Sequence, residues 1–144
     1  MNQLRLETYD GPYGERSVRF RVDGMDLRDL VRRAELGMGA TASIAGDYDG
    51  PPVTVVRSPS RHMLGEPAEG WLSSASIPGT VLLLGCTCGT EGCWPLHVRI
   101  GVRDSFVRWS GFVNPFRKEW SYEDLGPFEF GIQQYLDELQ ALNA

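Results

Sequence analysis

Three consecutive strand patterns in the second half of the chain constrain its fold most strongly. Residues 81–84 form a continuous apolar run, residues 96–102 alternate between apolar and polar side chains, and residues 106–112 form another strand pattern after a short turn. A continuous run is typical of a strand inside a sheet, and alternation is typical of a strand with one buried face. Together the three patterns predict an antiparallel meander.

The N-terminal part predicts a hairpin followed by a helix. Alternating apolar positions at 4–8 and 18–22 flank a turn at 10–14, which indicates a β-hairpin with one buried face. Asp26 is a candidate N-cap for the following helix, and Gly37 is a natural stop for it. The apolar positions of this helix recur at helical spacing and are Leu27, Leu30, Val31 and Ala34.

The remaining segments complete a prediction of one α+β domain over residues 1–144. Residues 37–79 are loop-rich, with a turn expected at 47–50 and one strand expected at 53–56. Pro127 is well placed to begin a terminal helix that includes Phe128. The predicted architecture is an antiparallel sheet, made of the N-terminal hairpin and the C-terminal meander, with one helix near each end.

Charge and hydropathy exclude several functional classes. The 144 residues contain 19 acidic and 14 basic side chains, a formal net charge of −5 and a pI near 5.0. This balance disfavours nucleic-acid binding, which requires a basic face. No apolar run approaches the ~20 residues of a membrane span, and no signal segment opens the chain. We therefore expect a cytoplasmic protein that binds neither nucleic acid nor membrane.

The chemically distinctive feature is a cluster of three cysteines. Cys86, Cys88 and Cys93 form a C-x-C-x4-C pattern in a glycine-rich turn between two predicted strands. Zinc prefers four soft or borderline ligands in a tetrahedron, and side chains at i and i+2 of a strand share one face. The segment is therefore a candidate structural zinc site, with His62 or His97 as the fourth ligand. The parity of His97 along its strand predicts that it points away from the apolar face.

Two other interpretations of the cysteines stay open. Three reduced cysteines can simply pack as small hydrophobes in a tight hairpin, and the sequence favours this over zinc. A disulfide between Cys88 and Cys93 is the weakest interpretation, because the nearest charge is Glu91 and a reactive thiol needs a positive neighbour. The motifs of P-loops, zinc proteases and serine hydrolases are missing from the sequence, so a non-enzymatic role is favoured over an enzyme.

Four short motifs resemble an uncharacterised family of small bacterial proteins of the actinobacterial type. They are S-R-H-M-L-G-E-P at 60–67, L-G-C-T-C-G at 84–89, G-C-W-P-L at 92–96 and L-G-P-F at 125–128. The resemblance extends from about Arg19 to the terminal helix and implies a bacterial, intracellular setting without an established activity. An apolar residue is usual in that pattern where this chain has His97, whereas His62 fits. The resemblance therefore favours His62 as the fourth zinc ligand.

The sequence thus predicts a non-enzymatic, protein-binding domain of the immunity or antitoxin type. Its Cys-rich hairpin would be held by packing or by zinc, and Arg61 and Trp94 are candidate contacts for a protein partner. The alternative is a cysteine- or zinc-dependent enzyme, either a thiol redox protein or a hydrolase. Sequence does not indicate the oligomeric state.

Overall fold

A computed structural model describes residues 1–12, 14–68, 71, 77–86, 95–117 and 119–143, with only the backbone of Cys86. Within this part of the chain, the strands are β1 Leu4–Asp10, β2 Arg16–Val22, β3 Met25–Asp26, β4 Tyr48–Asp49, β5 Val81–Cys86, β6 Leu96–Val102, β7 Phe106–Val113 and β8 Phe128–Gly131. The helices are α1 Leu27–Gly37, α2 Val53–Val56 and α3 Ile132–Ala141, and His62–Leu64 forms a 3-10 turn.

The strands form two antiparallel sheets. One contains β1, β2 and β3 in that order, and the other contains β4 to β8 in chain order. The adjacency of β5, β6 and β7 confirms the predicted meander, and the pairing of β1 with β2 confirms the predicted hairpin. The α+β class is confirmed, with α1 following the hairpin and α3 at the C-terminal end. The side chain of Asp26 caps α1 by accepting a hydrogen bond from the backbone N–H of Arg28.

Three local predictions are wrong. Val53–Val56 forms α2 instead of a strand, since the N–H of Arg57 bonds back to the first carbonyl of the turn at 2.9 Å. The segment 47–50, predicted as a turn, contains β4, which pairs with the end of β5. Phe128, predicted in the terminal helix, lies in β8 opposite Trp109, and α3 begins only at Ile132.

Two seams connect the sheets around a shared core. At one seam Asn2 bridges to β8, because its N–H donates to the carbonyl of Glu129 at 2.7 Å and its side-chain oxygen accepts from the Glu129 N–H at 2.8 Å. At the other, the N–H of Val18 in β2 donates to the carbonyl of Pro51 at 2.9 Å. Gly50 permits this close approach, since a Cβ there would overlap the Val18 carbonyl.

Trp109 of β7 lies within the main apolar core, which both sheets and helices contribute to. Its ring makes edge-on contacts with Phe20 of β2, Phe130 of β8 and Tyr135 of α3. The indole N–H donates to the Tyr135 hydroxyl at 3.1 Å, and that hydroxyl donates to the carbonyl of Met63 at 2.6 Å. This chain of contacts fixes the loop around residue 63 to the core.

Candidate functional site

The two strands that flank the cysteine segment define the candidate site. Leu84 of β5 pairs with Leu96 of β6, and Leu82 pairs with His97. The cysteine segment therefore connects two hydrogen-bonded strands, and Cys86, the last residue of β5, pairs through its backbone with Tyr48 of β4. Cys88, Cys93 and Trp94 lie outside the described residues, as does the side chain of Cys86. The predicted geometry of the three thiolates stays a prediction.

His97 lies at the base of this hairpin and is buried, with 2% of its surface exposed. Its neighbours along β6, Leu96 and Val98, belong to the main core, so the pleat of the strand directs the imidazole to the other face. The opposite face is covered as well, since Leu82 and Trp71 are buried without belonging to the main core cluster. The alternating pattern indicated only one buried face, and this second layer was not foreseen.

Hydrogen bonds assign the tautomer of His97. The hydroxyl of Thr80 donates to the carbonyl of Ile77 at 2.7 Å, so it accepts from Nδ1–H of His97 at 3.1 Å. Nε2 is then a bare acceptor, and it is buried without a hydrogen-bond partner among the described residues. Burial, with a smaller contribution from His62, lowers the pKa of His97 to about 4. The imidazole is therefore neutral at physiological pH.

His62 is equally buried but has both ring nitrogens occupied. Nε2–H donates to the carbonyl of Leu82 at 2.7 Å, and Nδ1 accepts from the N–H of Ala68 at 3.0 Å. The same Leu82 carbonyl accepts from the indole N–H of Trp71 at 2.9 Å. Burial lowers the pKa of His62, although its bond to Leu82 opposes this shift. The ring connects the loop at 60–68 to β5.

The loop that carries His62 is held from several sides. The hydroxyl of Ser60 donates to the carbonyl of Val55 at 2.7 Å and accepts from the N–H of Met63 at 3.2 Å, while the Met63 side chain is buried in the core. Gly65 has φ +103° and lies so close to β6 that a Cβ there would overlap the carbonyl of Ile100. The 60–67 motif therefore has a structural explanation.

Arg61 and Glu66 are the charged residues that this loop presents to solvent. Their side chains are 84% and 63% exposed and form an ion pair at 2.6 Å. They border a surface cavity of about 590 Å³, to which Pro59, Pro67 and the edge of His62 also contribute. The predicted binding residue Arg61 is thus accessible, and its proximity to Trp94 stays a prediction.

Glu35 of α1 is a buried acid that the sequence interpretation missed. Its carboxylate accepts hydrogen bonds from the N–H of Gly46 at 2.8 Å and from the hydroxyls of Tyr48 at 2.6 Å and Tyr122 at 2.7 Å. Burial raises the pKa of both phenols, and the nearby carboxylate acts in the same direction. Spacing offered a clue, because Leu27, Val31 and Glu35 recur every four residues on one helix face.

A groove lies beside this acid, between α1 and the segment 121–128. It has a volume of about 380 Å³ and an apolar lining that includes Leu30, Met38 and Leu125. Its rim carries the exposed side chains of Arg33 and Asp124. Tyr122 contributes to the lining, but its hydroxyl is engaged by Glu35. The groove offers an apolar contact surface with mixed charges at its rim.

Comparison with known proteins gives no assignment, since no family model, curated protein or solved structure matches this chain. The resemblance to the bacterial family stays a prediction. Within the described residues, no three His, Cys, Asp or Glu side chains come together as a metal-binding group. A search of the same residues finds no helix that is long and apolar enough to span a membrane.

Proposed function

We propose that this protein is a non-enzymatic, protein-binding domain of the immunity or antitoxin type, with its Cys-rich hairpin held by a structural zinc ion. The observation that carries the binding role is the fixed loop at 60–67. Its interior groups bond to the core, while Arg61 projects into solvent beside a cavity. A loop already held in one conformation binds with a smaller loss of entropy.

The chemistry of the loop suits a protein surface. Arginine is enriched among the residues that dominate binding energy, because its planar head makes several hydrogen bonds and its stem is apolar. Leu64 lies beside Arg61 and is 36% exposed, which adds an apolar contact. The net charge of −5 favours a basic partner, since opposite charges accelerate encounter.

The zinc part of the proposal is supported by the composition of the hairpin. Three cysteines in a C-x-C-x4-C pattern provide thiolates, and the two histidines of the chain, His62 and His97, are the candidates for the fourth ligand. A Cys3His set is a common closed zinc site, which stabilises a fold without leaving a position for substrate. The metal would hold a hairpin that is rich in glycine.

Photo-crosslinking from Leu64 tests the binding role. Benzoylphenylalanine at position 64 is expected to crosslink one protein in a lysate of the source cells, and unlabelled wild-type protein should compete. Unlabelled Arg61→Glu should compete poorly because the charge at the contact is reversed, whereas Arg33→Glu, on the exposed side of α1, should compete like wild type. The same probe at Leu36 of α1, which is 43% exposed, provides the surface control. Equal competition by both variants, or equal labelling from position 36, would refute the assigned surface.

A further inference from the structure

The groove between α1 and the segment 121–128 has the size of a site for a small organic ligand. Its volume of about 380 Å³ lies at the lower end of the range of about 300–1,000 Å³ that small-molecule sites occupy. Every residue that lines it belongs to the described part of the chain. The apolar lining includes Leu30, Ala34, Met38, Leu125 and Phe128. A ligand of this groove would therefore be small and would carry an apolar group.

The wall opposite α1 is held in place by contacts outside the groove. The hydroxyl of Tyr122 donates to the buried carboxylate of Glu35 at 2.7 Å, and the N–H of Leu125 donates to the Tyr122 carbonyl at 2.9 Å. The ring of Phe128 packs edge-on against Phe112, with 5.9 Å between the ring centroids. Because the wall is already ordered, a ligand would bind with little loss of conformational entropy in the protein.

Two opposite charges at this groove have no partner. Arg33 on α1 and Asp124 on the facing segment are exposed and line the groove. Within the described residues, neither side chain has an ion pair or a hydrogen bond. Arg61 and Arg108, by comparison, each pair with a nearby glutamate. The groove thus offers one guanidinium and one carboxylate to a ligand that carries both charges.

The end of α1 adds to the negative side of the groove. The helix ends at Gly37, and both Gly37 and Met38 line the groove. The C-terminal end of a helix carries a partial negative charge, and the last turn of α1 has no basic residue to offset it. This end, together with Asp124, suits an ammonium group. Arg33 lies about one turn earlier, and its planar head matches the two oxygens of a carboxylate.

We propose that this groove binds a free apolar α-amino acid, with its carboxylate on Arg33, its ammonium on Asp124 and its side chain against the apolar lining. Only a zwitterion of this kind engages both charges, since an amine leaves Arg33 without a partner and a fatty acid leaves Asp124 without one. The site goes beyond the proposed protein-binding role, because it shares no lining residue with the cavity beside Arg61.

Titration calorimetry of the untagged protein with L-leucine, L-methionine and L-phenylalanine in turn tests the proposal. At least one should bind, and for leucine we expect leucinamide, which lacks the carboxylate, and 4-methylpentanoate, which lacks the ammonium, to bind ~10-fold more weakly or worse. Arg33→Gln should weaken leucine binding and abolish the preference for leucine over leucinamide. Asp124→Asn should instead abolish the preference over 4-methylpentanoate. Arg103→Gln and Asp104→Asn, on the exposed turn between β6 and β7, should bind like wild type.

Methionine-methyl NMR of the wild-type protein locates the site without any variant. Met38 lines the groove, whereas Met63 of the 60–67 loop is buried in the core. The bound amino acid should shift the methyl signal of Met38 and leave that of Met63 in place.

Three outcomes would overturn the proposal and leave the protein-binding role of the 60–67 loop unaffected. The first is that none of the three amino acids binds at millimolar concentration. The second is that leucinamide and 4-methylpentanoate bind as tightly as leucine, which would indicate a purely apolar groove. The third is that binding shifts Met63 and not Met38, or is equally tight in Arg33→Gln, Asp124→Asn and wild type.

Discussion

Glu35 has no exposed surface, yet it lies on the same face of α1 as Leu27 and Val31. Three donors satisfy its carboxylate, and they come from two separate parts of the chain, residues 46–48 and residue 122. Asn114 extends the network by donating to the Tyr48 hydroxyl at 3.4 Å. Glu35 therefore connects α1 to β4 through Tyr48 and to the segment before β8 through Tyr122.

Replacing Glu35 should be among the most destabilising single changes in the chain. Glu35→Ala leaves two phenol hydroxyls and one backbone N–H buried without an acceptor, at roughly 1–3 kcal/mol for each lost partner. We expect the free energy of unfolding to fall by about 3 kcal/mol or more in urea denaturation. Asp29→Ala, on the exposed face of the same helix, is the matched control and should cost less than about 1 kcal/mol. Similar small losses in both variants would contradict the role of this network.

For single residues, the sequence predicted the direction of a side chain better than its contacts or its burial. The four-residue spacing indicated the direction of Glu35, but its hydrogen-bond donors Gly46, Tyr48 and Tyr122 were not predictable because they lie in segments without a periodic pattern. His97 was assigned correctly to the face opposite Leu96. Its burial depended on a second layer that includes Trp71, from a region where no periodic pattern predicted a structure.

At the scale of elements, β1 is an edge strand whose open side is covered by side chains of α3. The amide of Gln134 donates to the Leu4 carbonyl and accepts from the Leu4 N–H at 3.0 Å. One turn later, Glu138 accepts from the N–H of Leu6 at 2.8 Å. Helix side chains thus replace the hydrogen bonds of a neighbouring strand, which protects the edge from pairing with another chain.

Gln134→Ala should open this edge. Two hydrogen bonds are lost at about 0.5–1.5 kcal/mol each, and the Leu4 amide should exchange with solvent much faster than in wild type. Gln133→Ala removes a neighbouring exposed side chain, whose hydrogen bond within the described residues is to Asp137 on its own helix, so it serves as the control. Hydrogen exchange followed by NMR reports both variants. An unchanged Leu4 exchange rate in Gln134→Ala would show that the helix does not protect the strand.

Strong periodicity predicted the longer elements, and local patterns failed for the short ones. The hairpin, α1 and the meander were predictable because several apolar residues in each follow a pattern typical of a strand or a helix. The four residues of α2 are three valines and a threonine, a composition typical of strands, but Val56 is buried in the core and the flanking prolines keep the segment out of a ladder. Phe128 was placed in the terminal helix because its position continues the apolar spacing of α3. It lies in β8, which directly precedes α3 and packs against the same core.

At the scale of the whole molecule, phenol ionisation should report on folding. Burial raises the pKa of Tyr48, Tyr122 and Tyr135, and burial together with Asp49 raises that of Tyr9 to about 12. A raised folded-state pKa means that the stabilisation is complete below the unfolded pKa of about 10 and is lost as the pH rises through the folded-state pKa.

Absorbance of the phenolate tests this expectation. At about pH 10.5 the folded protein should keep at least four of its five tyrosines protonated, whereas a chain unfolded in guanidinium should have more than half of them ionised. Above that pH, ionisation and loss of stability should proceed together, because the buried phenols ionise as the fold opens. Ionisation of half or more of the tyrosines in the folded protein near pH 10 would contradict the described burial.

The metal content of the untagged protein, purified without chelator, tests the proposed metal site most directly. Native mass spectrometry with a thiol count before and after unfolding gives the answer. We predict one zinc per chain and protection of Cys86, Cys88 and Cys93 until the metal is removed or the chain unfolds. A folded protein without metal, whose three thiols become reactive only on unfolding, would contradict the zinc site and indicate a hairpin held by packing alone.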